Sequence, residues 1–112
     1  MAIFNKIYNL DIIFEALANQ HRRNIIYVIG LQPHSISQLA SIQNLSLPAI
    51  HKHIRILENA GMISRKKTGR ITYLTLNKES LNSLQIWLKQ YHTYWGTKNE
   101  SLENYSDYLN RK

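Results

Sequence analysis

Two short helix starts lie back to back in the middle of this chain, and they limit its fold more than any other feature. Ser35-Ile36-Ser37-Gln38 has the spacing of a capping box, in which the hydroxyl at the first position and the amide at the fourth satisfy each other's orphan backbone donors. Ser46 precedes a second start, with Pro48 in the first turn, where its missing N–H costs little. Gln43-Asn44-Leu45 leaves only a tight connection between the two. The first helix turns Ile36, Leu39 and Ala40 inward. The second buries Ile50, Ile54 and Leu57 and stops at Gly61. Two short helices joined by three residues form a helix-turn-helix.

The flanking segments complete the outline. Leu10, Ile13, Phe14 and Leu17 recur at helical spacing and predict an amphipathic helix over ~10–18. Asn19 offers a cap for a following helix whose apolar face is Ile25, Ile26 and Ile29, with Gly30 placed to end it and Pro33-His34 forming a loop. Downstream, Met62 to Lys66 and Ile71 to Leu76 are rich in β-branched and aromatic residues and are broken by a turn at Lys67-Thr68-Gly69-Arg70. They predict a hairpin. Residues ~78–110 return to helical spacing through Leu84, Trp87, Leu88, Tyr91 and Trp95, then Leu102, Tyr105 and Leu109, and Gly96 is placed to break or bend that stretch. The expected class is therefore mainly α with a small β-hairpin (α+β), a winged helix-turn-helix.

A chain of 112 residues, 44% apolar, has room for one modest core, so 1–112 is read as a single domain. No run of about 18 apolar residues suggests a membrane span. The first residues lack the features of a signal peptide, which makes the cytoplasm the expected location. The absence of cysteine excludes disulfides, thiolate metal sites and a cysteine nucleophile together. The net charge of +7 is unevenly spread. Residues 21–78 hold Arg22, Arg23, Lys52, Arg55, Arg65, Lys66, Lys67, Arg70 and Lys78 against Glu58 as the one acid, while the two ends carry a small excess of acids. Such a local basic surface is a footprint for a polyanion.

That charge falls on two adjacent elements. At 100° per residue, Pro48, His51, Lys52, Arg55 and Asn59 fall opposite the buried stripe of the second helix of the motif. Its outer face is thus basic and hydrogen-bonding, suited to the major groove. The hairpin follows directly and carries Arg65, Lys66, Lys67 and Arg70, a protruding cationic loop able to lie along a phosphate backbone. Residues ~10–78 are therefore expected to form a DNA-binding core, with Ser46, Pro48, His51, Lys52, Arg55, Arg65, Lys66, Lys67, Gly69 and Arg70 at the double-stranded DNA interface. A winged-helix module that binds another protein is the competing reading. Retention on random duplex DNA with steep salt dependence separates the two. No Gly-rich phosphate loop or carboxylate pair supports an enzyme, and no cofactor is expected.

Several segments carry a family resemblance. Phe14-Glu15-Ala16-Leu17-Ala18-Asn19-Gln20-His21-Arg22-Arg23, Ser37-Gln38-Leu39-Ala40, Leu45-Ser46-Leu47-Pro48-Ala49-Ile50-His51-Lys52-His53-Ile54, Leu57-Glu58-Asn59-Ala60-Gly61-Met62-Ile63 and Gly69-Arg70 together resemble the ArsR/SmtB-type winged-helix repressors over residues ~12–95. Asn19-Gln20 stands where that family has Asp-Pro, Leu47 where a polar residue is common, and His51 where a small serine is common. The resemblance implies a homodimeric repressor reading an inverted repeat. It also implies a C-terminal metal site of Asp and His ligands, but the nearest positions here are Gln90, His92, Glu103 and Ser106, and two of these are poor ligands, so no metal is expected. An inducer is left unassigned.

The remaining histidines and the aromatic stripe have plainer readings. His51 and His53 point to different faces of one helix and cannot chelate together. His53 is read as a packing residue at the core's edge, His34 as a loop residue, and His21 as part of a first helical turn. Leu84, Trp87, Leu88, Tyr91 and Trp95, joined by Ile13 and Phe14, are read as a dimer seam in helices over ~79–110, because water would otherwise cover a large apolar stripe; an inducer pocket lined by Trp87, Tyr91, Tyr94 and Trp95 is the competing reading.

Overall fold

The computed structural model of the chain describes residues 9–95 and 98–110, and leaves the side chains at 92–95, 98–102 and 104 outside that description. The elements run α1 (Leu10–Leu17), α2 (Gln20–Leu31), β1 (His34–Ser35), α3 (Ile36–Gln43), α4 (Leu47–Asn59), β2 (Ile63–Thr68), β3 (Ile71–Leu76), α5 (Lys78–Trp95) and α6 (Lys98–Asn110). A first compact unit ends at Leu81 and a second begins at Asn82.

Local polar signals set most helix ends of the first unit. Asn9 accepts from the amides of Asp11 and Ile12 to open α1, and Asn19 accepts from Arg22 N to open α2. The capping box of α3 is complete, with Gln38 N donating to Ser35 Oγ and Ser35 N donating to Gln38 Oε1. Ser46 Oγ accepts from Ala49 N at the start of α4, and Pro48 sits in that first turn.

Helices α3 and α4 end in the same way. Gly61, at φ 75°, follows α4, with Gly61 N donating to Glu58 O and Met62 N to Leu57 O, which is the Schellman arrangement. After α3 the left-handed position is held by Asn44 at φ 55°, with Asn44 N donating to Ser41 O and Leu45 N to Ala40 O. These two reversals aim α4 out of α3 and β2 out of α4.

The core of this unit is Ile13, Ile25, Leu39, Ile50, Ile54, Leu57, Met62 and Leu74, all fully buried, with Ala16, Ile29 and Ile63 nearly so. Each such side chain contributes about 1.5–3 kcal/mol relative to exposure. The sheet is three-stranded and antiparallel in the order β1-β3-β2. β3 is central, with Leu74 paired to His34 on one side and to Arg65 on the other. The β2 edge is guarded by charge at Arg65, Lys66 and Lys67, which discourages pairing with another strand.

Four expectations change. Gly30 lies inside α2, which runs on to Leu31; a methyl there would meet Leu76 Cδ2 of β3 at 3.4 Å. His34 is not in a loop but pairs with β3, with its Nδ1 2.7 Å from Gln32 O. The hairpin turn is only Gly69-Arg70, because Lys67 and Thr68 pair with Thr72 and Ile71. One positive φ at its first position fits the type II′ geometry. In α1 the buried pair is Ile13 and Ala16, while Phe14 is exposed. The sequence places Gly96 at a helix break, and it lies outside the described residues.

The left-handed turn after α3 gives a direct stability test. Asn44→Ala should lose about 1 kcal/mol, since a Cβ without a local hydrogen-bonding group is penalised at that φ, whereas Asn44→Gly should stay within about 0.5 kcal/mol of the parent. Urea unfolding midpoints of the three proteins measure the difference.

Candidate nucleic-acid interface

The outer face of α4 is built by exclusion. With Ile50, Ile54 and Leu57 fixed in the core, helical geometry leaves Lys52, Arg55 and Asn59 exposed and His51 half-exposed. Ser46, Leu47 and Pro48 are exposed at its start. The Ser46 hydroxyl already accepts the Ala49 amide, which limits it as a reader of anything else.

The wing stands on α4 through two attachments. Arg65 grips Glu58 with both arms of its guanidinium, Nε to Oε2 and Nη2 to Oε1 at 2.9 Å each. The hydrogen bond to Glu58 raises the pKa of Arg65 and holds it charged. The pair is partly exposed, so it contributes at most about 1 kcal/mol, but its fork geometry orients the hairpin.

The second attachment is Asn77. Its backbone N donates to Met62 O, its Nδ2 donates to Gly61 O, its Oδ1 accepts from Ser64 Oγ, and its carbonyl accepts from the N–H and hydroxyl of the fully buried Ser80. Sequence reasoning passed over Asn77. The available signal was an Asn directly between a strand pattern and a helical one, with a Ser three residues on.

The antiparallel register sorts the wing's cations. Side chains at Ile63, Arg65 and Lys67 share one face with Leu74 and Thr72, while Lys66 lies on the other with Tyr73. Arg70 occupies the tip beside Gly69, whose missing Cβ would touch nothing, so glycine is needed there for its φ of 65°. Among the described residues, the cations of α4 and the wing that lack an ion-pair partner are Lys52, Arg55, Lys66, Lys67 and Arg70.

Two other central arginines leave the footprint. Arg22 Nε donates to Ala16 O at 2.6 Å and its Nη2 to Glu15 O, and Arg23 Nη1 donates to Leu17 O. They donate to the carbonyls of the last turn of α1 and pin it to α2. Arg22 Nη1 also lies 3.2 Å from His53 Nδ1. A guanidinium only donates, so His53 accepts there as a neutral ring. His21 Nδ1 meets Gln43 Oε1 at 2.9 Å, with the two imidazoles 5.6 Å apart. His53, expected as a packing residue, thus joins α2 to α4.

The seam expected on the terminal helices is only partly of one kind. Ile13 is fully buried in the first unit's own core and is withdrawn from any seam. In the second unit Trp87 packs edge-on against Tyr91 at 4.8 Å, and Ile86, Leu88 and Tyr91 are exposed, with Leu84 half-buried. Trp95 ends α5, and its side chain lies outside the described residues, as does that of His92. Among the described residues no three His, Asp or Glu gather as metal ligands, and no helix is long and apolar enough to cross a membrane.

Residues 19–65 match the family model described as bacterial regulatory protein, arsR family. The chain is 41% identical over 49 residues to an uncharacterized HTH-type transcriptional regulator of Methanocaldococcus jannaschii, spanning 44% of this chain and only about half, 52%, of that relative. It is 34% identical over 89 residues to an uncharacterized HTH-type transcriptional regulator of Bacillus subtilis, covering 72% of this chain and 97% of the relative. The crystal structure of an ArsR family transcriptional regulator superposes with a TM-score of 0.70 at 33% identity, over 79% of this chain and 91% of the other.

The neutral His53 predicts how the first unit responds to acid. Burial first, then Arg22, His21 and Lys52, lower its pKa. A base whose folded pKa is depressed gives stability that is complete above its ordinary value near 6.5 and is lost as pH falls through the lowered one. Thermal midpoints should therefore drop between about pH 7.5 and about pH 5.5. The drop should be smaller in His53→Asn, whose Oδ1 can accept from Arg22 without titrating.

Proposed function

The chain belongs to the ArsR family of winged helix-turn-helix transcriptional regulators, and from that premise we propose that it is a homodimeric repressor that reads an inverted repeat in double-stranded DNA. The observation that carries this reading is the continuity of positive charge from the outer face of α4 onto both faces and the tip of the wing. Lys52 and His51 lie where base edges would come within reach, and Arg55 and the wing cations where phosphates would. Residues ~10–78 serve as the DNA-binding core and ~79–110 as the dimerising part. A role on chromosomal DNA puts its work in the cytoplasm, and no step of it requires an enzyme's chemistry.

Dimerisation is supported by the stripe on α5. Leu88 and Tyr91 expose apolar area on the same helix face as Leu84 and Trp87, and a two-fold partner would cover one such patch with its copy. Phe14 of α1 also presents apolar surface. Two recognition helices on one side of such a dimer would meet half-sites about one helical turn apart.

Two experiments test the proposal. Lys67→Ala and Arg70→Ala should each weaken binding to all duplexes alike and flatten the dependence of log K on log salt by about one unit for every phosphate left without its cation. An unchanged slope in the double variant removes the wing from the interface. Trp87→Ala combined with Tyr91→Ala should shift sedimentation toward monomer and abolish tight operator binding while leaving weak non-specific binding. A wild-type monomer with full operator affinity overturns the dimer.

A further inference from the structure

The first turn of α4 is unusual for a surface meant to read bases, because it has almost nothing to hydrogen-bond with. Leu47 opens the helix and is 51% exposed. Pro48, also exposed, has no N–H, and the Ser46 hydroxyl is engaged by Ala49 N. Leu47 borders the core stripe but keeps half of its surface outside it. Helical spacing puts it three and seven residues before the buried Ile50 and Ile54, and also one and two turns before the outward His51 and Arg55, so it stands where the core stripe meets the outer face. A leucine left half in water at that corner, beside His51, is placed to meet an apolar group in the groove.

We propose that Leu47 reads the 5-methyl group of a thymine, so that one base pair at the start of each recognition helix is selected by an apolar contact and not by a hydrogen bond. This rests on the DNA-binding reading above and specifies it. In the major groove guanine shows two acceptors, adenine an acceptor and a donor, and cytosine a donor, whereas thymine alone adds a methyl group. A leucine set against any of the other three strips water from polar edges and returns no hydrogen bond, which is costly. Against thymine the same leucine buries a methyl. His51, one turn further on, faces the neighbouring step with a ring that can donate or accept.

The test alters the DNA and leaves the fold alone. Duplexes are selected from a randomised library by the full-length protein. Each thymine of the selected site is then replaced singly by deoxyuridine, which removes the methyl and keeps every hydrogen-bonding group. Wild type should lose affinity by about fourfold at one thymine per half-site, the loss expected for one buried methyl. Leu47→Ala should show less than about a twofold difference between the two bases there, and 5-methylcytosine in place of cytosine at that position should recover part of the loss only with wild type. The proposal is overturned if no thymine responds, or if Leu47→Ala keeps the full response. A protein that captures no duplex at low salt overturns the DNA-binding reading, and this one with it.

Discussion

Asn77 joins three pieces of chain that would otherwise diverge: the end of α4 at Gly61, the root of the hairpin at Met62 and Ser64, and the start of α5 at Ser80. Its amide, both side-chain polar atoms and its carbonyl are all used. Because Gly61 and Met62 directly follow α4, the angle between that helix and the wing is set where these bonds converge. The Arg65–Glu58 fork adds a second fixed point further along the same strand. A basic helix and a basic hairpin become one surface only because the chain between them is held in this way. Bonds made in a half-buried setting resist loosening more than exposed ion pairs do.

The same economy governs the cations. The sequence concentrates positive charge in residues 21–78, but the structure divides it by task. Arg22 and Arg23 close α1, Arg65 anchors the wing, and Lys52, Arg55, Lys66, Lys67 and Arg70 are left to face a partner. The structural tasks all go to guanidinium groups, those of Arg22, Arg23 and Arg65, where several donors in a fixed plane can meet several carbonyls or a carboxylate at once. Lysines predominate among the outward cations, as compact charges on flexible stems that suit phosphate contacts without fixed geometry.

What could be read from the sequence was what is decided within four residues. The caps at Asn19, Ser35 and Ser46, the stop at Gly61 and the buried stripe of α4 each follow from nearest-neighbour chemistry, and each stands in the structure. What escaped depends on distant chain. His34 becomes a strand because Leu74 is there to pair with it, Gly30 lies inside a helix with Leu76 of β3 close by, and Arg22 becomes a clamp because α1 ends beside it. In α1 the periodic set Leu10, Ile13, Phe14 and Leu17 was recognisable, but whether the core would take Ala16 in preference to Phe14 is a matter of space. Of the interface, the outer face of α4 and the wing tip were legible, and the two attachments that align them were not.

The wing's two-residue turn has an evolutionary corollary. Side chains along an antiparallel ribbon alternate between its faces, so Lys66 and Lys67 point to opposite sides, and the register set at Gly69-Arg70 decides which side each takes. Adding residues in matched pairs, one to each strand, would lengthen the ribbon and carry the tip further while every existing cation kept its side. A single added residue in one strand would force a bulge or turn that strand's cations over. Descendants of this chain can thus vary the reach of the wing readily in even steps, whereas odd steps would scramble its pattern of charge. Length polymorphism at this tip is a parity-restricted character.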